Sequence, residues 1–244
     1  MPQRRAFDRL GVYQSSALEF KVWAVFKMQH MTRAVYSMSN EYVFTSDWFS
    51  AHKPSWNNLL EQGKPKRYLE IGSYEGRSAC HVIEQLGIVG ELEIHCVDTW
   101  EGSGEHTAIG IEMAAVEKRV DHNVSLAMNA ASHQVDVHKH KAPSDHILPL
   151  LLASLGAGSF DMIYVDGSHQ APDVLADAVL SFKLLREGGI LIFDDYLWRE
   201  DGAPGNDLTR CPKIAIDAFT NIHSKKLRIL NGPLAQIYAI KTAV

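Results

Sequence analysis

From Lys66 onward, short apolar runs alternate with amphipathic ones, and four of the apolar runs end at or beside a carboxylate. Residues 67–71, 91–97, 135–140, 160–165, 190–193, 227–230 and 236–240 read as strands from their β-branched and aromatic content. Residues 77–86, 105–119, 144–155, 172–186 and 213–223 carry helical spacing. Ser144 or Asp145 is expected to cap the third of these helices. The fourth is read with Leu175, Val179, Phe182 and Leu185 on one face and with Gly188-Gly189 as its stop. Strands alternating with helices give an α/β fold, a doubly wound and mainly parallel sheet with helices on both faces. A short turn, Asn231-Gly232-Pro233, joins the last two strands, so they pair antiparallel.

Composition removes several function classes. The 244 residues carry 24 Lys and Arg against 29 Asp and Glu, so no positive excess is available for a phosphate backbone, and nucleic acid is not the expected partner. No apolar run approaches the ~18 residues of a membrane span. Asp8, Arg9 and Gly11 interrupt the place where a secretory apolar region would lie. Cys80, Cys96 and Cys211 are too few and too far apart for a disulfide framework, which suits a reducing compartment, and the cytoplasm is the expected location.

Residues 1–60 differ from the rest. They hold three of the five Trp, a helical pattern over 15–38 with Leu18, Val22, Val25 and Phe26, and a short helix over 55–60 ended by Gly63 and Pro65. The expected division is an N-terminal helical segment, 1–60, and an α/β domain, 61–244. The segment reads as a lid, a homo-oligomer contact or core cover.

In an open α/β sheet, ligands bind outside the carboxyl ends of the strands. Those ends carry Glu70, Asp98, Asp166 and the pair Asp194-Asp195. Glu70-Ile71-Gly72-Ser73-Tyr74-Glu75-Gly76 reads as strand, glycine loop and helix start, a place where a ligand can approach main-chain N–H groups. The middle glycine of a dinucleotide fingerprint is missing, and Glu70 and Glu75 would repel a pyrophosphate. They suit a ligand bearing an ammonium. Asp98 follows Glu70 by 28 residues, where an acid accepts hydrogen bonds from ribose hydroxyls, and Trp100 offers a ring for an adenine or for the core.

On these residues, together with Phe160–Tyr196, the chain resembles the class I S-adenosylmethionine-dependent methyltransferases. It looks most like the metal-dependent macrocin-type small-molecule O-methyltransferases, over residues 56–240. The resemblance implies a Rossmann-like, seven-stranded sheet. It also implies S-adenosylmethionine as cofactor, with Glu70 and Gly72 at its methionine end, Ser73, Tyr74, Gly76 and Ser78 around the loop, Asp98 on the ribose and Trp100 near the adenine. Asp166 borders the same site, and Ser144 falls near the family's adenine-side contact.

Asp166 and Asp194-Asp195 end two strands expected to be neighbours. Three converging carboxylates fit Mg²⁺ better than zinc or copper, and metal-dependent members of the family carry acids at these positions. His169, three residues after Asp166, suits a general base, since an unperturbed imidazole has a pKa of ~6.5. Asp166 and His169 are thus the expected catalytic residues, and Asp166, Asp194 and Asp195 the expected metal ligands. His138 and His140 alternate along a strand and read as exposed rather than ligating. The implied reaction is methyl transfer to a hydroxyl of a small molecule. A nicotinamide-dependent oxidoreductase and a non-catalytic nucleoside-cofactor-binding protein are the competing readings.

Overall fold

The structure, a computed structural model, describes residues 40–102, 110–199 and 207–243. The expected helix over 15–38 lies outside these residues. The described elements are α1 (Lys53–Gly63), β1 (Arg67–Ile71), α2 (Arg77–Leu86), β2 (Leu92–Asp98), α3 (Met113–Ala130), β3 (Val135–Lys141), α4 (Ser144–Leu155), β4 (Phe160–Val165), α5 (Ala171–Leu184), β5 (Leu185–Phe193), α6 (Pro212–Ile222), β6 (Leu227–Ile229) and β7 (Ile237–Lys241). The seven strands form one sheet in the order β3-β2-β1-β4-β5-β7-β6. Pairing is parallel from β3 through β5, and antiparallel where β7 meets β5 and β6. Among the described residues no helix is long and apolar enough to cross a membrane.

Alternation along the strands divides the core in two. Tyr68, Ile94, Cys96, Met162, Tyr164 and Ile192 face the layer of α1, α2 and α3. Leu69, Val97, Ile163, Val165, Leu191 and Phe193 face the layer of α4, α5 and α6. Strands buried on both faces need continuous apolar runs, and the central runs of this chain have them.

Four sequence expectations shift here. The helix read over 105–119 is α3 and runs on to Ala130, while residues 105–109 lie outside the described ones. On its buried face Asn123 joins Val116, Val120, Val124 and Ala127: its amide donates to the carbonyls of Val43 and Glu75, and its oxygen accepts the Val43 N–H. On α5 the buried face is Ala171, Val174, Ala178 and Phe182, and Leu175 and Val179 are exposed. Gly188-Gly189 does not stop α5. The helix ends at Leu184, where Lys241 Nζ donates to the carbonyls of Phe182 and Leu185 at 2.8 and 2.7 Å. The glycines lie inside β5, with Gly188 at φ +74° beside a register shift against β4. Lastly, Pro143 holds the cap position of α4, and Ser144 begins the helix without a capping bond.

Helix α1 spans residue 60, the expected domain boundary. Trp56 on it is fully buried, edge-on to Phe49, Tyr68 and Tyr164, with Nε1 donating to Gln236 Oε1 at 3.0 Å. This one side chain joins α1 to β1, β4 and the C-terminal hairpin. Truncating a buried Trp leaves a cavity and removes one of the two donors to Gln236 Oε1, so Trp56→Ala should lose about 3–5 kcal/mol in urea unfolding. A loss below about 1 kcal/mol, the range of surface substitutions, would contradict this packing.

Candidate active site

The carboxyl ends of β1, β2, β4 and β5 lie side by side because the strands are parallel and in register. Ile71 pairs with both Val97 and Val165, and Val165 pairs with Phe193. The segments that follow them meet at one edge. Gly72 makes that approach feasible. At φ +86° it sits so close to the next segment that a Cβ there would lie 2.0 Å from the Asp166 carbonyl oxygen. Three of the four non-glycine residues with positive φ among the described residues, Tyr74, Trp100 and Asp195, also lie just past these strand ends. Left-handed backbone at non-glycine residues costs energy and gathers at functional sites.

The glycine loop is tied to β2 through Asp98. Its Oδ2 accepts the N–H groups of Ser73 and Tyr74 at 3.0 and 2.9 Å, and its Oδ1 accepts that of Trp100 at 2.7 Å. Trp100 is buried, its Nε1 donates to the Tyr74 carbonyl and Lys139 covers its ring, so in this conformation it braces the loop from the core side. Gly76 opens α2 at φ +78°. The two loop acids separate: Glu75 is buried in an ion pair with Arg119 at 2.5 Å, which leaves Glu70 as the acid facing the loop.

Glu70 is fully buried. Its Oε2 accepts from Ser78, and from Tyr68 at 2.9 Å, while Oε1 has no hydrogen-bond partner. Burial pushes its carboxyl up to about 7, against the pull of the Ser78, Ser73 and Tyr68 hydroxyls. A buried polar atom without a partner is costly, and this one lies next to a loop shaped for close approach.

The second cluster follows β4 and β5. Ligand atoms of Asp166, His169 and Asp195 all lie within 4.8 Å of one another, and His169 Nε2 is 2.7 Å from Asp195 Oδ2. The His169 ring also packs on Trp198, at 4.1 Å between centroids. Asp194, expected with the other acids, lies beside them and meets Asp166 through Tyr164. Its Oδ2 lies 2.5 Å from the Tyr164 hydroxyl, and its Oδ1 accepts the Asp195 N–H at 2.8 Å. A small cavity lined by Asp166, Ser168, His169, Asp194 and Asp195 opens here. Ser168 braces the start of α5, accepting from the Gln170 N–H and donating to Asp173. Ser144 takes up with α5 as well: its hydroxyl bonds the buried Asp177 carboxyl, which burial still raises to about 6.

Sequence reasoning missed Tyr164. Its hydroxyl is 3.0 Å from Asp166 Oδ2 as well as close to Asp194, and it accepts from Gln236 Nε2 at 3.3 Å. Burial, then the charges of Asp166 and Asp194, hold the phenol well above its ordinary range, so it stays a donor. A signal existed, since Tyr164 stands near the end of β4, two residues before Asp166.

The titration of Glu70 has a sign that can be checked. Between the ordinary carboxylate pKa near 4.5 and about 7, the folded state holds a proton that the unfolded state has lost. Stability therefore falls as pH rises through that window and levels off above it. Melting-temperature differences between Glu70→Gln and the unsubstituted protein should become more favourable to the variant from pH 5 to pH 8. A difference that stays flat with pH would place Glu70 in a solvated setting.

Residues 69–196, more than half of the chain, match the family described as Methyltransferase domain. A probable caffeoyl-CoA O-methyltransferase 3 of Dictyostelium discoideum is 26% identical over 162 residues, 66% of this chain and 54% of that protein. The chain spans about half the length of the curated relatives it matches. The O-methyltransferase TomG of Streptomyces achromogenes, solved with S-adenosylmethionine, superposes with a TM-score of 0.56 at 16% identity, covering 94% of this chain and 90% of TomG. An O-methyltransferase of Bacillus cereus, solved with S-adenosylhomocysteine, gives 0.51 at 17%, covering 95% and 94%. These structures share the fold, and the glycine loop and both acid clusters described above fall within the matched stretch. The chain belongs to the methyltransferase domain family.

Proposed function

We propose that this protein transfers a methyl group from S-adenosylmethionine to a hydroxyl oxygen of a small molecule, with Mg²⁺ beside the acceptor. The observation that supports this most is the meeting, at one sheet edge, of a glycine loop bearing a buried unpaired carboxylate oxygen with a second cluster of acids and a histidine.

The residues fit both groups. Glu70 Oε1 is a buried acceptor without a partner, which suits the ammonium of a methionine moiety. Asp98 lies at the end of β2, half-buried, with lone pairs beyond its three backbone bonds for ribose hydroxyls. Asp166 and Asp195 offer hard oxygen donors that suit Mg²⁺, and Asp194 stands next to them through Tyr164. When bound, S-adenosylmethionine supplies a methyl carbon already activated by its sulfonium. When bound, Mg²⁺ supplies orientation of the acceptor oxygens and a lower hydroxyl pKa.

The protein's own part is placement and proton transfer. The Gly72 loop lets the nucleoside side of the site come close to the Asp166 segment, so acceptor oxygen and methyl carbon can be held at ~3–3.5 Å. His169 takes the hydroxyl proton on the ring nitrogen turned away from Asp195, because its Nε2–H faces that carboxylate. Asp195, 2.7 Å away, orients the ring and stabilises the charge it gains. Tyr164 keeps Asp166 and Asp194 in place with a hydroxyl that does not ionise. The acceptor belongs to the chemistry of small hydroxylated molecules, and the protein is read as cytoplasmic. Residues 1–60 would supply its substrate cover or a homo-oligomer contact.

Three measurements check this reading. Calorimetry should show S-adenosylmethionine binding, and Asp98→Ala should weaken it at least about tenfold, since a hydrogen bond to a charged group contributes ~1.5–3 kcal/mol. NAD(H) should leave the melting temperature unchanged; a rise with NAD(H) and none with S-adenosylmethionine would favour the oxidoreductase reading. In a methyl-transfer assay on catechols and hydroxylated thioesters, His169→Asn should lose most turnover, keep cofactor affinity and flatten the pH profile. A chelator should remove activity and Mg²⁺ restore it, and activity indifferent to chelation would remove the metal from the account.

A further inference from the structure

Strands β2 and β3 run parallel, with Glu93 opposite Asp136, His95 opposite His138 and Val97 opposite His140. Period-two alternation brings Glu93, His95, His138 and His140 to one face of this edge of the sheet. The four side chains touch. His95 Nε2 lies 2.9 Å and His138 Nε2 3.7 Å from the same oxygen, Glu93 Oε1. His95 Nδ1 lies 2.9 Å from His140 Nε2. The His95 ring packs against His138 and His140, and edge-on to Phe160.

We propose that Glu93, His95 and His138 form a binding site for a zinc-type divalent cation, with His140 orienting His95. One ligand atom from each of the three lies within 4.8 Å of the others. Two imidazole nitrogens and one carboxylate oxygen make a donor set of borderline softness, suited to Zn²⁺ rather than Mg²⁺ or Ca²⁺. Three protein ligands leave a fourth position open, and His138, about half exposed, sits on the solvent side.

Each ligand is held from behind. Arg67 grips the other Glu93 oxygen, with Nε at 2.7 Å and a terminal nitrogen at 2.6 Å, so Oε1 is aimed at the histidines. His95 is buried, so its ring is fixed between Glu93 and His140. Neutral imidazole is the form that ligates metals. With His95 Nε2 on the cation, its Nδ1–H would donate to His140 Nε2, the outer-shell bond that ligating histidines usually make. His138 and His140, read as exposed strand residues in the sequence, thus acquire a role from their register against β2. A cation here would pin the edge strand β3 to β2, the strand that ends at Asp98. The site uses none of the residues placed in methyl transfer.

The test uses the untagged full chain, stripped with a chelator and kept in excess Mg²⁺. Zn²⁺ is titrated against a chromophoric competitor, and Co²⁺ serves as spectroscopic probe. One Zn²⁺ should bind and raise the melting temperature, and Co²⁺ should give the visible absorption of nitrogen and oxygen ligation. His138→Ala, at an exposed position, should weaken Zn²⁺ at least about tenfold and abolish the thermal shift, and His140→Gln should weaken it less. Asp195→Asn should leave it unchanged. Absence of Zn²⁺ binding, unaltered affinity in His138→Ala, or loss in Asp195→Asn instead would each overturn the proposal.

Discussion

Parallel strands in register force their carboxyl ends together, and in this chain those ends bear acids. Glu70, Asp98, Asp166, Asp194 and Asp195 are thereby gathered at one edge of one sheet. Like charges held close together repel one another unless something offsets them. The structure offsets them largely with hydroxyls and main-chain N–H groups. Tyr68 and Ser78 serve Glu70, three backbone N–H groups serve Asp98, and Tyr164 lies between Asp166 and Asp194. Neutral donors hold carboxylates in place without cancelling their charge, so the edge stays attractive to cations.

That arrangement reaches far into the core. Tyr164 accepts from Gln236, whose side-chain oxygen accepts from Trp56 and from Tyr238. A helix before the sheet and the last strand pair therefore share one buried hydrogen-bond chain with the acids of the site. Buried networks of this kind are costly to leave half satisfied, so disturbing a distant member is expected to be felt at Asp166 and Asp194. The hairpin that distinguishes this sheet from an all-parallel one thus supports the site as well as closing the edge.

Much of this was legible in the sequence. Strand–helix alternation, the glycine loop and the acidic strand ends each have a local signature, and β1, α2, α4 and β4 fall where periodicity places them. The family follows from the same residues. What escaped is non-local. The split between Glu70 and Glu75 depends on Arg119, 44 residues further on. The Trp56–Gln236 bond spans 180 residues, and no local pattern encodes it. The burial of Asn123 has no local signature, because its amide serves two distant carbonyls. Gly188-Gly189 mimicked a helix stop because glycine breaks strands and helices alike, while Lys241 from β7 closes α5. The grouping of Asp195 with His169, and of Asp194 with Tyr164, turns on backbone at φ +54°, which a sequence does not announce.

The proposed reaction needs two adjoining sites at one sheet edge, one for a sulfonium nucleoside and one for a cation and a hydroxyl. The most direct measurement is a crystal structure of this protein with S-adenosylhomocysteine and Mg²⁺. It should show the amino group of the homocysteine on Glu70, the ribose hydroxyls on Asp98, and Mg²⁺ on Asp166 and Asp195 with His169 facing the open acceptor side. A nucleoside bound away from the Gly72 loop, or Mg²⁺ absent from the acids after β4 and β5 at saturating concentration, would contradict it.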